Sequence, residues 1–252
     1  MKASVQTIIG LVLVFSLGQV QAQDIDRPDT IRVGHKFKNF QDLEMGVTKD
    51  IIYTKAMGKI MSVTINIKET KTIEVDGQKL LYFSHNIQGP KPDFNGSFEY
   101  ICEYETLKPI QLISDSPRAG KEGFKFSESL ITSLDTVTDN NRKDFALVLD
   151  QPTFNWQIDL ETYSLLPMEE GYHAVMNFYH PGSQTEPKFY HLKVIGSDMV
   201  LLPDSRSMDC WIVYTDYGGT QPTRFWYTKK GQNFVKMEGK YKQLTILKER
   251  IY

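Results

Sequence analysis

From residue 171 to the C-terminus the chain is written as short runs of large apolar and β-branched residues, with turn residues between them. The runs occupy 171–180, 188–195, 209–216, 223–229, 233–238 and 241–248. Pro181-Gly182, Gly196-Ser197-Asp198, Tyr217-Gly218-Gly219 and Lys230-Gly231 separate them. Short, evenly spaced strands with glycine-bearing turns specify a sandwich, a barrel or a strongly curved sheet. A parallel α/β fold would need helices alternating with the strands, and the sequence lacks that alternation.

The same period of two runs through the first half. Met61, Val63, Ile65 and Ile67 alternate with Ser62, Thr64, Asn66 and Lys68. The reading is a half-buried strand with its apolar face on the core and its polar face in water. Asp76-Gly77 forms a tight hairpin turn, because glycine accepts a positive φ. Phe98, Tyr100, Cys102 and Tyr104 share one apolar face of the strand that follows Pro92. Further strands are expected near 124–134 and 144–149. The segment 153–168 fits strand or helix; with Asn155 as a cap and Pro167 as a stop, one short helix near 155–166 is expected.

The N-terminus has the three parts of a secretory signal peptide: a positive start at Lys2, an apolar run from Thr7 to Gly18, and Val20-Gln21-Ala22 before the cut. The apolar run is short of the roughly 20 residues that cross a bilayer. Residues 1–22 are therefore read as the signal, 23–50 as a polar N-terminal segment with little structure of its own, and 51–252 as one antiparallel β domain. The expected location is the periplasm or the outside of the cell, with no transmembrane segment in the mature chain. Of 29 basic and 31 acidic residues only Lys2 is lost with the signal, so the mature chain carries a net charge of −3. Scattered basic residues argue against a nucleic-acid surface. Cys102 and Cys210 both lie in strand-like text. They are either a disulfide, in keeping with an oxidising compartment, or two separate buried thiols.

No motif for a reaction emerges. There is no G-x-S-x-G, no H-E-x-x-H, no paired-cysteine spacing and no glycine-rich loop leading into a helix. Glu169-Glu170 reads as a solvated turn, and Asp159 and Glu161 as capping or surface residues. No catalytic residue, metal ligand or cofactor is assigned, and a non-enzymatic role is expected.

One feature of the late strands is unusual for a half-buried sheet. Tyr172, Ala174, Met176 and Phe178 share one face of a strand whose other face carries Val175 and Tyr179. Trp211 and Val213 oppose Cys210, Ile212 and Tyr214, and Trp226 opposes Phe225 and Tyr227. Both faces are apolar in places, so something covers the second one: a further layer of the same domain, or an apolar ligand or partner.

The phrases IDLETYSLLPMEEG (158–171), NFYHPG (177–182), FYHLKVIGSD (189–198), DCWIVYTDYGG (209–219) and FWYTKKGQNFVKMEG (225–239) occur in that order. Over residues 95–250 the chain resembles uncharacterised exported proteins of Bacteroidota related to a bacterial domain-of-unknown-function family. The resemblance implies a mainly β fold, a single large curved antiparallel sheet or half-barrel like that of the periplasmic lipoprotein carriers. It further implies that Phe178, Trp211 and Trp226 line a cavity for a lipid or lipoprotein acyl chain. The alternative is an envelope scaffold or protein-interaction module with a closed core and an exposed apolar patch.

Overall fold

The computed structural model describes residues 27–183, 185–202 and 204–252. The expected signal peptide, 1–22, lies outside the described residues. The chain opens with β1 (Asp29–Ile31) and continues through β2 (Gly46–Ala56), β3 (Lys59–Val75), β4 (Gln78–Gln88) and β5 (Gly96–Glu103). Then come β6 (Pro109–Ser116), β7 (Gly120–Phe126), β8 (Leu130–Ser133) and β9 (Ala146–Val148). The short β10 (Phe154–Asn155) leads into a 3-10 turn (Trp156–Ile158) that runs on as α1 (Asp159–Tyr163). The second half is β11 (His173–Tyr179), β12 (Lys188–Leu201), β13 (Ser207–Thr215), β14 (Thr223–Thr228), β15 (Phe234–Tyr241) and β16 (Leu244–Ile251).

The sixteen strands of the described residues all belong to one sheet. Two antiparallel meanders, β2 to β9 and β11 to β16, are zipped together where β16 pairs with β2, from Leu244 opposite Ala56 to Ile251 opposite Lys49. The C-terminal strand therefore lies in the middle of the sheet. Among the described residues, parallel pairing is confined to β1 and β10, which cover successive parts of the free edge of β11. Covering an edge in short pieces removes a template for unwanted strand pairing.

The sheet curls but does not close by a ladder. Its two ends are brought together by side chains: Arg142, between β8 and β9, donates from a terminal guanidinium nitrogen to the carbonyl of Gly182 at 3.2 Å and from Nε to Glu122 at 2.6 Å. The link between β9 and β11 crosses the inside of the curl and carries the single short helix expected there. Asn155 caps it as expected, its side chain accepting from the Gln157 N–H at 3.0 Å.

One apolar cluster fills the inside of the curl, from Leu81, Tyr100 and Phe124 in the first meander to Phe178, Val213 and Phe225 in the second. A smaller cluster of Val200, Leu202, Cys210, Trp226 and Val235 lies on the other face. This second cluster accounts for the apolar outer face of β13 and β14, where Cys210 and Trp226 pack against Val200, Leu202 and Val235 of the same domain; on β11, Tyr179 joins the inner cluster instead. Gly196-Ser197-Asp198 is not a turn. The register shifts between Val194 and Gly196, so the glycine marks a bulge, and β12 runs on to Leu201.

The face of β3 is reversed relative to the sequence reading. Its polar residues Asn66, Lys68 and Thr70 are buried, whereas Met61 is 63% and Ile65 37% exposed. The physical reason is the helix. It brings carboxylates to the inside of the curl, and β3 answers with hydrogen-bonding and cationic side chains. Cys102 lies in the inner cluster and Cys210 in the outer one, both as free buried thiols. The stretch between β1 and β2 has no strand, yet it buries Phe37 and Leu43 against the inner core.

Candidate functional site

The helix 156–163 is held from many sides at once. Tyr227 on β14 donates its hydroxyl to the Leu160 carbonyl at 3.0 Å. Tyr163 packs edge-on against Phe178 of β11 and Phe225 of β14. Beyond the helix, Gln232 donates to the carbonyls of Ser164 and Leu166 and accepts from the Met168 N–H. Gln232 does so from a left-handed backbone, φ 46°. Such conformations persist where the surroundings over-determine them.

Beneath the helix lies a cluster of buried charges. Lys68 Nζ stands 3.0 Å from Glu161 Oε1 and 3.3 Å from Asp50 Oδ2. Arg250 of β16 donates from Nε to Asp50 at 3.1 Å, and its two terminal nitrogens grip Glu44 at 2.8 and 2.9 Å. His85 Nε2 is 3.8 Å from Glu161. Burial pushes the Glu161 carboxyl up, but Lys68 and His85 outweigh that and hold it at about 2. Burial pushes His85 down to about 4, keeping it neutral near pH 7. Lys68 remains a cation, because Glu161 and Asp50 outweigh the burial that lowers it.

The helix also forms one wall of an open cleft of about 440 Å3 at the end of the sheet where β11 turns into β12 and β13 into β14. Three rings shape it. The Trp156 and Tyr217 centroids are 4.3 Å apart at 38°, and Tyr190 stands edge-on to Trp156 at 5.0 Å and to Tyr217 at 5.8 Å. Phe178 and Tyr241 extend the apolar lining; His180, Glu186 and Lys188 and the hydroxyls of Ser183, Thr185 and Thr220 give it polar points along one side. Tyr217 adopts φ 48°, a genuine outlier for a bulky residue. Its hydroxyl donates to Asp159 Oδ2 at 3.1 Å and its carbonyl accepts from the Thr220 hydroxyl at 2.9 Å. Asp159 is half-buried, and burial raises its carboxyl to about 6. The cleft thus rests on a carboxyl that titrates near neutrality, with the ion cluster behind it.

The three expected lining residues fall in different places. Phe178 is buried among Phe154, Trp156 and Tyr163 and touches the cleft. Trp211 is half-buried against the inner core, with Lys229 Nζ 4.6 Å from its ring. Trp226 belongs to the outer cluster, under Lys236. Sequence reasoning missed Trp156, Tyr190 and Tyr217. Tyr217 before Gly218-Gly219 was the available signal, an aromatic residue at a tight turn, and the structure buries it at the rim of the inner core. Among the described residues no group of three or more His, Cys, Asp or Glu side chains is placed to hold a metal. His173 and His191 lie 2.9 Å apart between ring nitrogens, on neighbouring strands.

The fold and cleft define a curved-sheet protein whose hollow is filled by its own short helix, with an aromatic cleft at one end. The chain belongs to the family described as "Protein of unknown function (DUF3108)", which matches residues 48–242. No curated protein matches it. Among solved structures it is similar to a DUF1329 family protein from Desulfovibrio piger ATCC 29098, at 10% identity over 87% of this chain and 91% of that one, with a TM-score of 0.33.

Proposed function

We propose that this is a non-enzymatic, exported cell-envelope protein that binds a lipid or other amphiphile by its apolar part in the cleft of Trp156, Tyr190 and Tyr217. One observation carries the reading. The cleft is a concave aromatic surface with a few polar points, within the roughly 300–1,000 Å3 typical of ligand sites, and one of its walls is a tyrosine held in a strained backbone. The rest of the sheet's hollow is occupied by residues 154–168, so an acyl chain has room at the cleft and not along the sheet. The buried Lys68–Glu161–His85 group opens beside Glu44 and Arg250 only to a space of about 20 Å3, enough for about one water and not for a substrate, which favours binding over catalysis.

The test is a titration with lauric acid and with lauroyl-lysophosphatidylglycerol, followed by tryptophan fluorescence. Saturable binding that weakens at least tenfold in Trp156→Ala and Tyr190→Ala, but not in Trp226→Phe, supports the cleft. An absence of saturable binding, or equal loss in all three variants, contradicts it.

A second reading, an envelope interaction module, is favoured by the apolar outer face around Val47, Met61, Ile65 and Ile251, all exposed. It predicts a concentration-dependent mass in sedimentation that Ile65→Lys abolishes.

A further inference from the structure

We propose that the β2–β3 and β15–β16 turns together form a docking edge for an anionic phospholipid bilayer. Pairing of Ala56 with both Lys59 and Leu244 sets the two turns side by side. The first carries the half-buried Lys55 and the exposed Met57, Lys59 and Ile60; the second presents Lys240, Tyr241 and Lys242, all exposed. No Asp or Glu occurs in 51–68 or in 239–248, so four lysines stand at this edge without acidic neighbours in their own turns. Between them the apolar side chains are in water: Met57 is 86% exposed, Ile60 56% and Tyr241 40%.

Charge and apolar groups at one edge are what an anionic interface recognises. Lysines are drawn to the negative surface, each worth about fivefold in partitioning, and the apolar tips enter the headgroup boundary. The turn chemistry points the same way. Met57 has φ 48° and Gly58 φ 75°, a two-residue turn whose first position suits Asn or Gly. A methionine there is a poor turn former that holds an apolar side chain out into solvent. Tyr241 also borders the aromatic cleft, so a bilayer met by this edge would lie beside the cleft mouth. The inference stands on the turns alone and does not require the cleft to bind a ligand.

The experiment is co-sedimentation of the secreted, processed protein, its N-terminus checked by mass. The vesicles are phosphatidylglycerol with phosphatidylethanolamine in equal parts, against phosphatidylcholine alone. The expected result is binding to the phosphatidylglycerol vesicles that falls steeply in about 0.5 M salt. Lys55→Glu with Lys242→Glu should lower partitioning at least tenfold. Met57→Asn, which suits the turn, should lower it severalfold without lowering the melting temperature. Binding no stronger than to phosphatidylcholine, or equal binding by the charge-reversal variant and the wild type, would overturn the proposal.

Discussion

Glu161 on the helix and Lys68 on β3 meet at 3.0 Å with both side chains nearly out of water, so the element that fills the hollow is tied to the sheet by a buried ion pair. Asp50 and Arg250 extend the tie across β2 and β16, and Glu44 carries it toward solvent. Removing one partner of such a group leaves the other charges desolvated and unmatched, which costs about 3–5 kcal/mol. Lys68→Met should destabilise the protein by that amount in urea unfolding at pH 7. Adding Glu161→Gln and Asp50→Asn should recover part of the loss, and a single variant as stable as the wild type would show that the cluster does not anchor the helix.

Glu161, lowered from 4.5 to about 2, adds stability that is lost as pH falls through 2; above pH 4.5 the pH dependence follows from two opposed groups. Asp159 has its carboxyl raised from 3.8 to about 6, so its contribution to stability is complete below 3.8 and lost as pH rises through 6. His85 is lowered from 6.5 to about 4, so its contribution is complete above 6.5 and lost as pH falls through 4. Between pH 4 and 6 the two oppose each other. Asp159→Asn removes one of them. The variant should therefore gain about 1–3 kcal/mol relative to the wild type as pH rises across that window, the lower end reflecting the part of Asp159 that reaches solvent. Urea midpoints at pH 4 and 6.5 measure this, and parallel profiles would contradict it.

The two thiols face opposite sides of the sheet, and burial raises both, Cys210 to about 11. Neither should react with a thiol reagent in the native protein. Both should react once the chain is unfolded without reductant. A mass 2 Da below that of the dithiol would reveal a disulfide and refute the placement.

Much of the fold was legible because its determinants are local. Period-two alternation, Asp76-Gly77, Gly218-Gly219 and the Asn155 cap each act within a few residues, and each marks a real element. What was hidden depends on distant parts of the chain. Asn66 and Lys68 read as part of a water-facing side because nothing nearby shows that a helix about a hundred residues later will deliver Glu161 to them. Gly196 read as a turn because a bulge and a turn ask the same freedom of glycine. The cleft combines a residue from the helix, one from β12 and one from a turn, and only the curl of the sheet brings them together. The resemblance grouped Trp226 with Phe178, but adjacent aromatic residues on a strand point to opposite faces, and the register of β14 sets Trp226 on the outer face while Phe178 lies on the inner one.

The central claim is that an amphiphile occupies the aromatic cleft. Native mass spectrometry with solvent extraction of the processed protein, purified from a secreting host, tests it most directly. The prediction is a reproducible added mass that extracts as a lipid and disappears in the Trp156→Ala, Tyr190→Ala double variant while the folded charge-state envelope is kept. A bare mass in the wild type that persists when fatty acids and lysophospholipids are offered, or an adduct that survives loss of both rings, would contradict it.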